Sequence, residues 1–185
     1  VARSFLDPTP RLATGRLETE RLRLEPLTEG DAEPLFRIMD DPEVMAYWDT
    51  SEGDDPDVVA EIVRGQVEAM STGKAVHWTL RKLEDGDFVG VCDLTEIDRR
   101  SGEAEVGFML GRDAWGKGYA LEALGSVAAF AAGSGLRRLK ARTHLGARRS
   151  ESLLQKLGFE EQGLVRGHRL PNGDRRDFRL FELQL

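Results

Sequence analysis

The sequence predicts an α+β fold: a mixed, largely antiparallel twisted sheet with helices on both faces, in a three-layer α/β arrangement. Three observations predict it. Strand-like runs at 76–83, 88–95 and 103–110 are joined by short turns at 84–87 and 98–102, which reads as an antiparallel meander. Nearly every residue of 119–132 is Ala, Leu, Val or Phe, so this helix is covered on most of its surface. The chain then returns to strands at 159–165 and 178–183, around the turn residues Pro171, Asn172 and Gly173.

The elements follow in order. Leu22 and Leu24 alternate with Arg21, Arg23 and Glu25, as in a half-buried strand that Pro26 ends. Thr28 and Asp31 form a capping-box-like start for a helix with Leu35, Phe36 and Met39 on one stripe, which Asp41 and Pro42 stop. The acidic stretch 50–57 leads to a second helix with Val58, Val59, Ile62, Val63 and Met70 inward, and Gly73 marks its end. After the meander and the apolar helix, Gly133 and Gly135 precede a strand at 139–145. A short helix at 150–157 follows, closed by Gly158.

At 185 residues the chain matches one ordinary domain, placed at 16–185 behind a flexible leader at 1–15 that carries Pro8 and Pro10. Hydrophobic residues make up 40% and charged residues 32%, a globular balance without a membrane-length apolar run, and no secretory signal pattern stands at the start. A cytoplasmic location is therefore expected, with no membrane partner. Cys92 is the one cysteine, which excludes an intramolecular disulfide and a cysteine zinc cluster. His77, His144 and His168 show no metal spacing, so no metal is expected, and structural or substrate-edge roles fit them best. The formal charge of -7 disfavours nucleic acid as a partner and favours cationic ligands. Arg137, Arg138, Lys140 and Arg142 read as a solvated face.

The most informative segment is WGKGYALEA, 115–123, between a strand and the apolar helix. A helix N-terminus offers unpaired N–H groups and partial positive charge, and glycines let an anion approach the backbone. Two familiar phosphate loops do not fit. A nucleotide P-loop needs Lys and Ser or Thr after its last glycine, whereas Tyr119 and Ala120 follow Gly118. A dinucleotide fingerprint needs Gly or Ala three positions after Gly118, where Leu121 stands.

The loop resembles the pyrophosphate loop of the GNAT acyltransferase superfamily, Q/R-x-x-G-x-G/A, with Gly118 and Ala120 at its last two fixed positions. Trp115 replaces the usual Gln or Arg, as in the branch of RimJ- and RimL-type protein N-acetyltransferases. ETERLRLEPLTEGDAEPLF at 18–36 resembles the opening of that branch, and SLLQKLGF at 152–159 resembles its final helix and strand entry. The resemblance spans about 17–183.

The resemblance implies the GNAT-like acyl-CoA N-acyltransferase fold and acetyl-CoA (coenzyme A) as cosubstrate. The acceptor would be a primary amine, either a peptide N-terminus or a small amine. The strands at 103–110 and 139–145 would splay, with Met109, Leu110 and Gly111 pairing with the pantetheine arm by main-chain groups. Trp115, Gly116, Lys117, Gly118, Tyr119 and Ala120 would hold the pyrophosphate, and a bulge near 106–108 would free an N–H for the thioester oxygen.

Aminolysis needs a base for the ammonium and an acid for the leaving thiolate. Glu105 matches a recurrent acidic position of the family strand and is the candidate base, against the reading of a plain surface carboxylate. Ser150 matches the RimL-type serine that protonates the thiolate beside the cofactor, and it reads equally as an N-cap of the helix that follows. Two positions depart from the branch: Ala147 stands where Asn usually bonds the cofactor arm, and Arg169 where the branch carries an acidic residue. Met45, Tyr47 and Trp48 resemble an acceptor wall, although an aromatic cluster of this kind is more often core. An acyl-CoA-binding sensor or interaction module without turnover is the alternative, and a dinucleotide-binding protein a more distant one. A monomer or a homodimer fits the sequence.

Overall fold

The computed structural model describes residues 15–46, 48, 53–170 and 173–185. Its eight strands form one sheet in the order β1-β2-β3-β4-β5-β6-β8-β7. They are β1 (Leu17–Glu18), β2 (Leu22–Pro26), β3 (Val76–Lys82), β4 (Phe88–Asp98), β5 (Glu103–Leu110), β6 (Arg138–His144), β7 (Glu160–Arg169) and β8 (Arg175–Gln184). The helices are α1 (Ala32–Met39), α2 (Pro42–Met45), α3 (Pro56–Ser71), α4 (Tyr119–Gly133) and α5 (Arg148–Lys156). Strands β1 to β5 are antiparallel neighbours, so the predicted meander is present, and β5 to β6 is the parallel step. The α4 crossover makes that step possible, since parallel strands need a long connection.

Side-chain alternation divides the core between the two faces of the sheet. On one face Leu22, Leu24, Trp78, Leu80, Cys92, Leu94, Val106 and Leu110 pack with Ala123, Leu124 and Val127 of α4. On the other, Met109 packs with Leu35, Ile38 and Met39 of α1 and with Val59 and Val63 of α3. Burial pushes the Cys92 thiol well up, which fits an inert packing role.

Local chemistry explains the helix boundaries. The Asp31 carboxylate takes the Thr28 N–H and hydroxyl, both at 2.8 Å, and also meets Arg81 at 2.8 Å. Asp55 accepts from Asp57 N–H at 2.9 Å ahead of Pro56. Pro42 ends α1, as expected, and also opens the one-turn α2, because Asp41 caps Glu43 N–H at 3.0 Å and proline suits a first helical turn. Helix α5 begins at Arg148, two positions before the expected start. β4 runs to Asp98, past the expected end at Thr95, with a register shift where Glu96 adopts φ 49°. Residues 1–14 of the expected leader, Tyr47, residues 49–52 with the start of the acidic stretch, and Pro171 with Asn172 lie outside the described residues. No helix among the described residues is long and apolar enough to cross a membrane.

Candidate active site

The loop at 115–120 is held from three directions. Gly116 and Gly118 adopt φ 72° and 81°, conformations that side chains resist, and Gly118 is the N-cap of α4. The first bond of the helix runs from Glu122 N–H to Gly118 O at 3.1 Å, so the Tyr119, Ala120 and Leu121 amides precede the intrahelical ladder. The Trp115 indole is half-buried, packs against both faces' clusters, and donates its Nε1–H to Leu110 O at 2.9 Å. Trp115 thus roots the loop with its ring. From below, Arg21 donates to Lys117 O at 2.9 Å and lies 4.7 Å from the Tyr119 ring centroid. Glu122 fixes that arginine, taking its main-chain N–H at 2.7 Å and its Nε at 2.8 Å, and takes the Thr19 hydroxyl at 2.5 Å.

The expected splay of β5 from β6 is present. Their parallel register covers Glu103↔Arg138, Ala104↔Leu139 and Glu105↔Lys140 and stops there, while β5 stays paired with β4 up to Leu110. In an antiparallel ladder alternate residues bond the same neighbour. Gly111 N–H donates to Val89 O at 3.0 Å, so Met109, Gly107 and Glu105 turn their main-chain groups toward β4. The Val106 N–H completes the last pair with β6, and the Val106 carbonyl and the main-chain groups of Phe108 and Leu110 face the gap.

This parity corrects two expectations. Met109 is engaged with β4 and Gly111 has both groups in use, its carbonyl taking Ala114 N–H at 2.9 Å. Leu110 alone of the expected trio presents main chain to the gap, and its carbonyl already takes the Trp115 indole. The bulge expected near 106–108 is also absent. The β4–β5 register is continuous there, and because the Glu105↔Lys140 pair uses the Val106 N–H, the splay leaves Phe108 with the first N–H that has no strand partner.

Glu105 projects from the same sheet face as Met109, beside the first unpaired position. Its carboxylate takes Arg142 Nε at 2.8 Å and its side chain is 20% exposed. Burial pushes this carboxyl above its ordinary value against the pull of Arg142, with Glu96 and Asp93 adding to the rise. A raised carboxyl is the direction that suits a base working near neutral pH.

Ser150 lies in the first turn of α5, where Ala147 is the N-cap and no side chain caps the helix. The capping role is therefore removed, because the helix starts before Ser150 reaches the cap position. Arg149 next to it stacks over Trp115, 4.8 Å from the ring centroid, which brings the start of α5 against the loop. Ala147 is buried.

Beyond the gap, His144 and His168 flank the Phe178 ring at 4.5 and 5.3 Å. His144 also lines a pocket of about 390 Å³ with Ala46, Leu145, Arg175, Arg176 and Asp177. Met45 and Trp48 pack on the α1–α3 cluster, the core reading. Among the described residues no group of His, Cys, Asp and Glu could hold a metal. Sequence reasoning missed Thr19, Arg21 and Glu122, whose meeting across about a hundred positions leaves no local signal.

A glycine loop opening a core-packed helix, beside a strand pair that parts at a carboxylate, is the arrangement expected of an acyl-CoA-using acyltransferase. Comparison with known proteins agrees. The family profile of the acetyltransferase (GNAT) domain matches residues 21–160. The uncharacterized N-acetyltransferase p20 of Bacillus licheniformis is 31% identical over 168 residues, covering 90% of this chain and 94% of that one. The chain belongs to the GNAT acetyltransferase family. Among solved structures, RimJ of Mycobacterium smegmatis in complex with CoA-disulfide superposes with a TM-score of 0.83 at 22% identity, over 94% of this chain and 89% of that one. RimL, a ribosomal L7/L12 alpha-N-protein acetyltransferase in complex with coenzyme A, gives 0.81 at 16% identity, over 92% and 98%.

Proposed function

We propose that this acetyltransferase moves the acetyl group of acetyl-CoA onto a primary amine, a peptide or protein N-terminus or a small amine, by direct attack of the amine. The observation that carries the reading is the splay that opens at Glu105 next to the loop at 115–120. The amides of Tyr119 and Ala120 and the Lys117 side chain can hold a pyrophosphate at the α4 N-terminus. The Val106 carbonyl, the Phe108 main chain and the Leu110 N–H can pair with an amide-bearing arm lying in the gap. Acetyl-CoA, when bound, supplies an activated thioester.

Glu105 takes the proton from the acceptor ammonium, directly or through water, and Ser150 gives one to the departing thiolate. The main-chain N–H of Phe108 donates to the thioester oxygen as negative charge develops. The pocket beside His144 and Arg176 is the acceptor's entry. RimL's action on a ribosomal protein N-terminus supports a protein N-terminus as one acceptor class. The test is thiol release: coenzyme A should appear from acetyl-CoA only when amine is present. Tight binding of coenzyme A with no amine-dependent release would instead support a binding module.

A further inference from the structure

Asp93 stands on β4 opposite His77 of β3 on one side and Gly107 of β5 on the other. It shares the sheet face of Glu105, one diagonal step away, since Thr95 is the direct partner of Glu105. A Cβ at Gly107 would lie 2.8 Å from Asp93 Oδ1, so the carboxylate occupies the space a side chain there would fill. It therefore lies over β5, toward the splay. His77 Nδ1 stands 3.6 Å from Asp93 Oδ2, and the two side chains are 9% and 19% exposed. The His77 N–H donates to Met70 Sδ at 3.2 Å, which ties that end of the row to α3.

Asp93 and Glu105 differ in their partners. Glu105 is paired with Arg142, whereas no lysine or arginine lies within ion-pair distance of Asp93 among the described residues. A half-buried carboxylate whose one basic neighbour is a histidine has an oxygen free to meet an incoming cation. The cation this reaction brings to the splay is the acceptor's own ammonium.

We propose that Asp93, oriented by His77 and admitted over β5 by Gly107, binds the acceptor ammonium and is a specificity-determining residue for cationic amines. The proposal rests on the N-acetyltransferase reading and names the group that positions the acceptor, leaving proton transfer to Glu105.

The experiment measures binding of n-butylamine, tyramine and the tripeptide amide Ser-Ala-Ala to coenzyme A-saturated enzyme, each beside its neutral counterpart with hydroxyl or methyl in place of the amine. Wild type should prefer the ammonium member of at least one pair by about tenfold, the size of one exposed-to-buried charge contact. Asp93→Asn should abolish that preference while coenzyme A raises the Tm of the variant as it does that of wild type. Gly107→Ala, which displaces the carboxylate, should act the same way, and Asp93→Glu should keep part of the preference. No preference in wild type for any pair overturns the proposal. So does a preference that persists in Asp93→Asn, or loss of coenzyme A binding in that variant, which would make Asp93 a support of the fold. Turnover is a separate readout: absence of thiol release with every amine counts against the acetyltransferase reading, whatever Asp93 binds.

Discussion

Arg21 and Glu122, one at the entrance of β2 and the other in the first turn of α4, meet through Nη2 and Oε2 at 2.7 Å. The pair clamps the phosphate-type loop to the sheet edge, because the same arginine also holds Lys117 O. Burial alone would push the Glu122 carboxyl up. Hydrogen bonds from Thr19 and Arg21 outweigh it and hold the group below its ordinary value. A lowered carboxyl contributes stability above its unfolded pKa of about 4.3 and loses it as pH falls through the folded value. Acidification below about pH 4.3 should therefore cost wild type more Tm than Glu122→Gln. At neutral pH Arg21→Ala should lose about 1 kcal/mol in urea unfolding and weaken coenzyme A binding, the exposed half of the pair limiting the loss.

Gly118→Ala places a side chain at φ 81° and puts its Cβ 3.3 Å from Arg21 Nη2. Strain of about 1 kcal/mol or more should appear in stability. Because Gly118 caps the helix whose amides face the loop, the dissociation constant for coenzyme A should rise by about tenfold or more in titration calorimetry. Unchanged affinity would separate the loop from cofactor binding.

The acid limb of kcat/KM should lie above the pH at which an ordinary carboxylate titrates, since burial raises Glu105. Arg142 pulls in the other direction, so Arg142→Ala should move that limb to higher pH. Glu105→Gln should lower kcat by about a hundredfold and flatten the limb. A wild-type-like profile in Glu105→Gln would remove the base role.

Ser150→Ala should lower turnover with little effect on Tm, because the hydroxyl caps nothing in α5. Loss of stability with full turnover would return Ser150 to a structural role.

Most of the fold was legible because its signals are local. Alternation around Leu22 and Leu24, the apolar run of α4, and the turn residues between β3, β4 and β5 each place one element. The boundaries that slipped depend on side-chain geometry: Asp41 turns Pro42 from a stop into a start, and α5 begins at Arg148 without any capping side chain. Within the candidate site, the loop glycines, Glu105 and Ser150 could be named from the chain. Main-chain direction could not, because the turn of Met109 and Gly111 toward β4 is set by register, which one strand's sequence does not carry. The clamp of Arg21 on Glu122 and the row of His77, Asp93 and Gly107 were illegible for the same reason: each is made by strands or helices brought together only by folding.

The most direct measurement is mass spectrometry of a panel of peptide and small amines after incubation with acetyl-CoA and enzyme. The account predicts that at least one amine gains a single acetyl group at nitrogen, at a rate that falls in Glu105→Gln and Gly118→Ala. Amines that remain unmodified while coenzyme A binds tightly would contradict it.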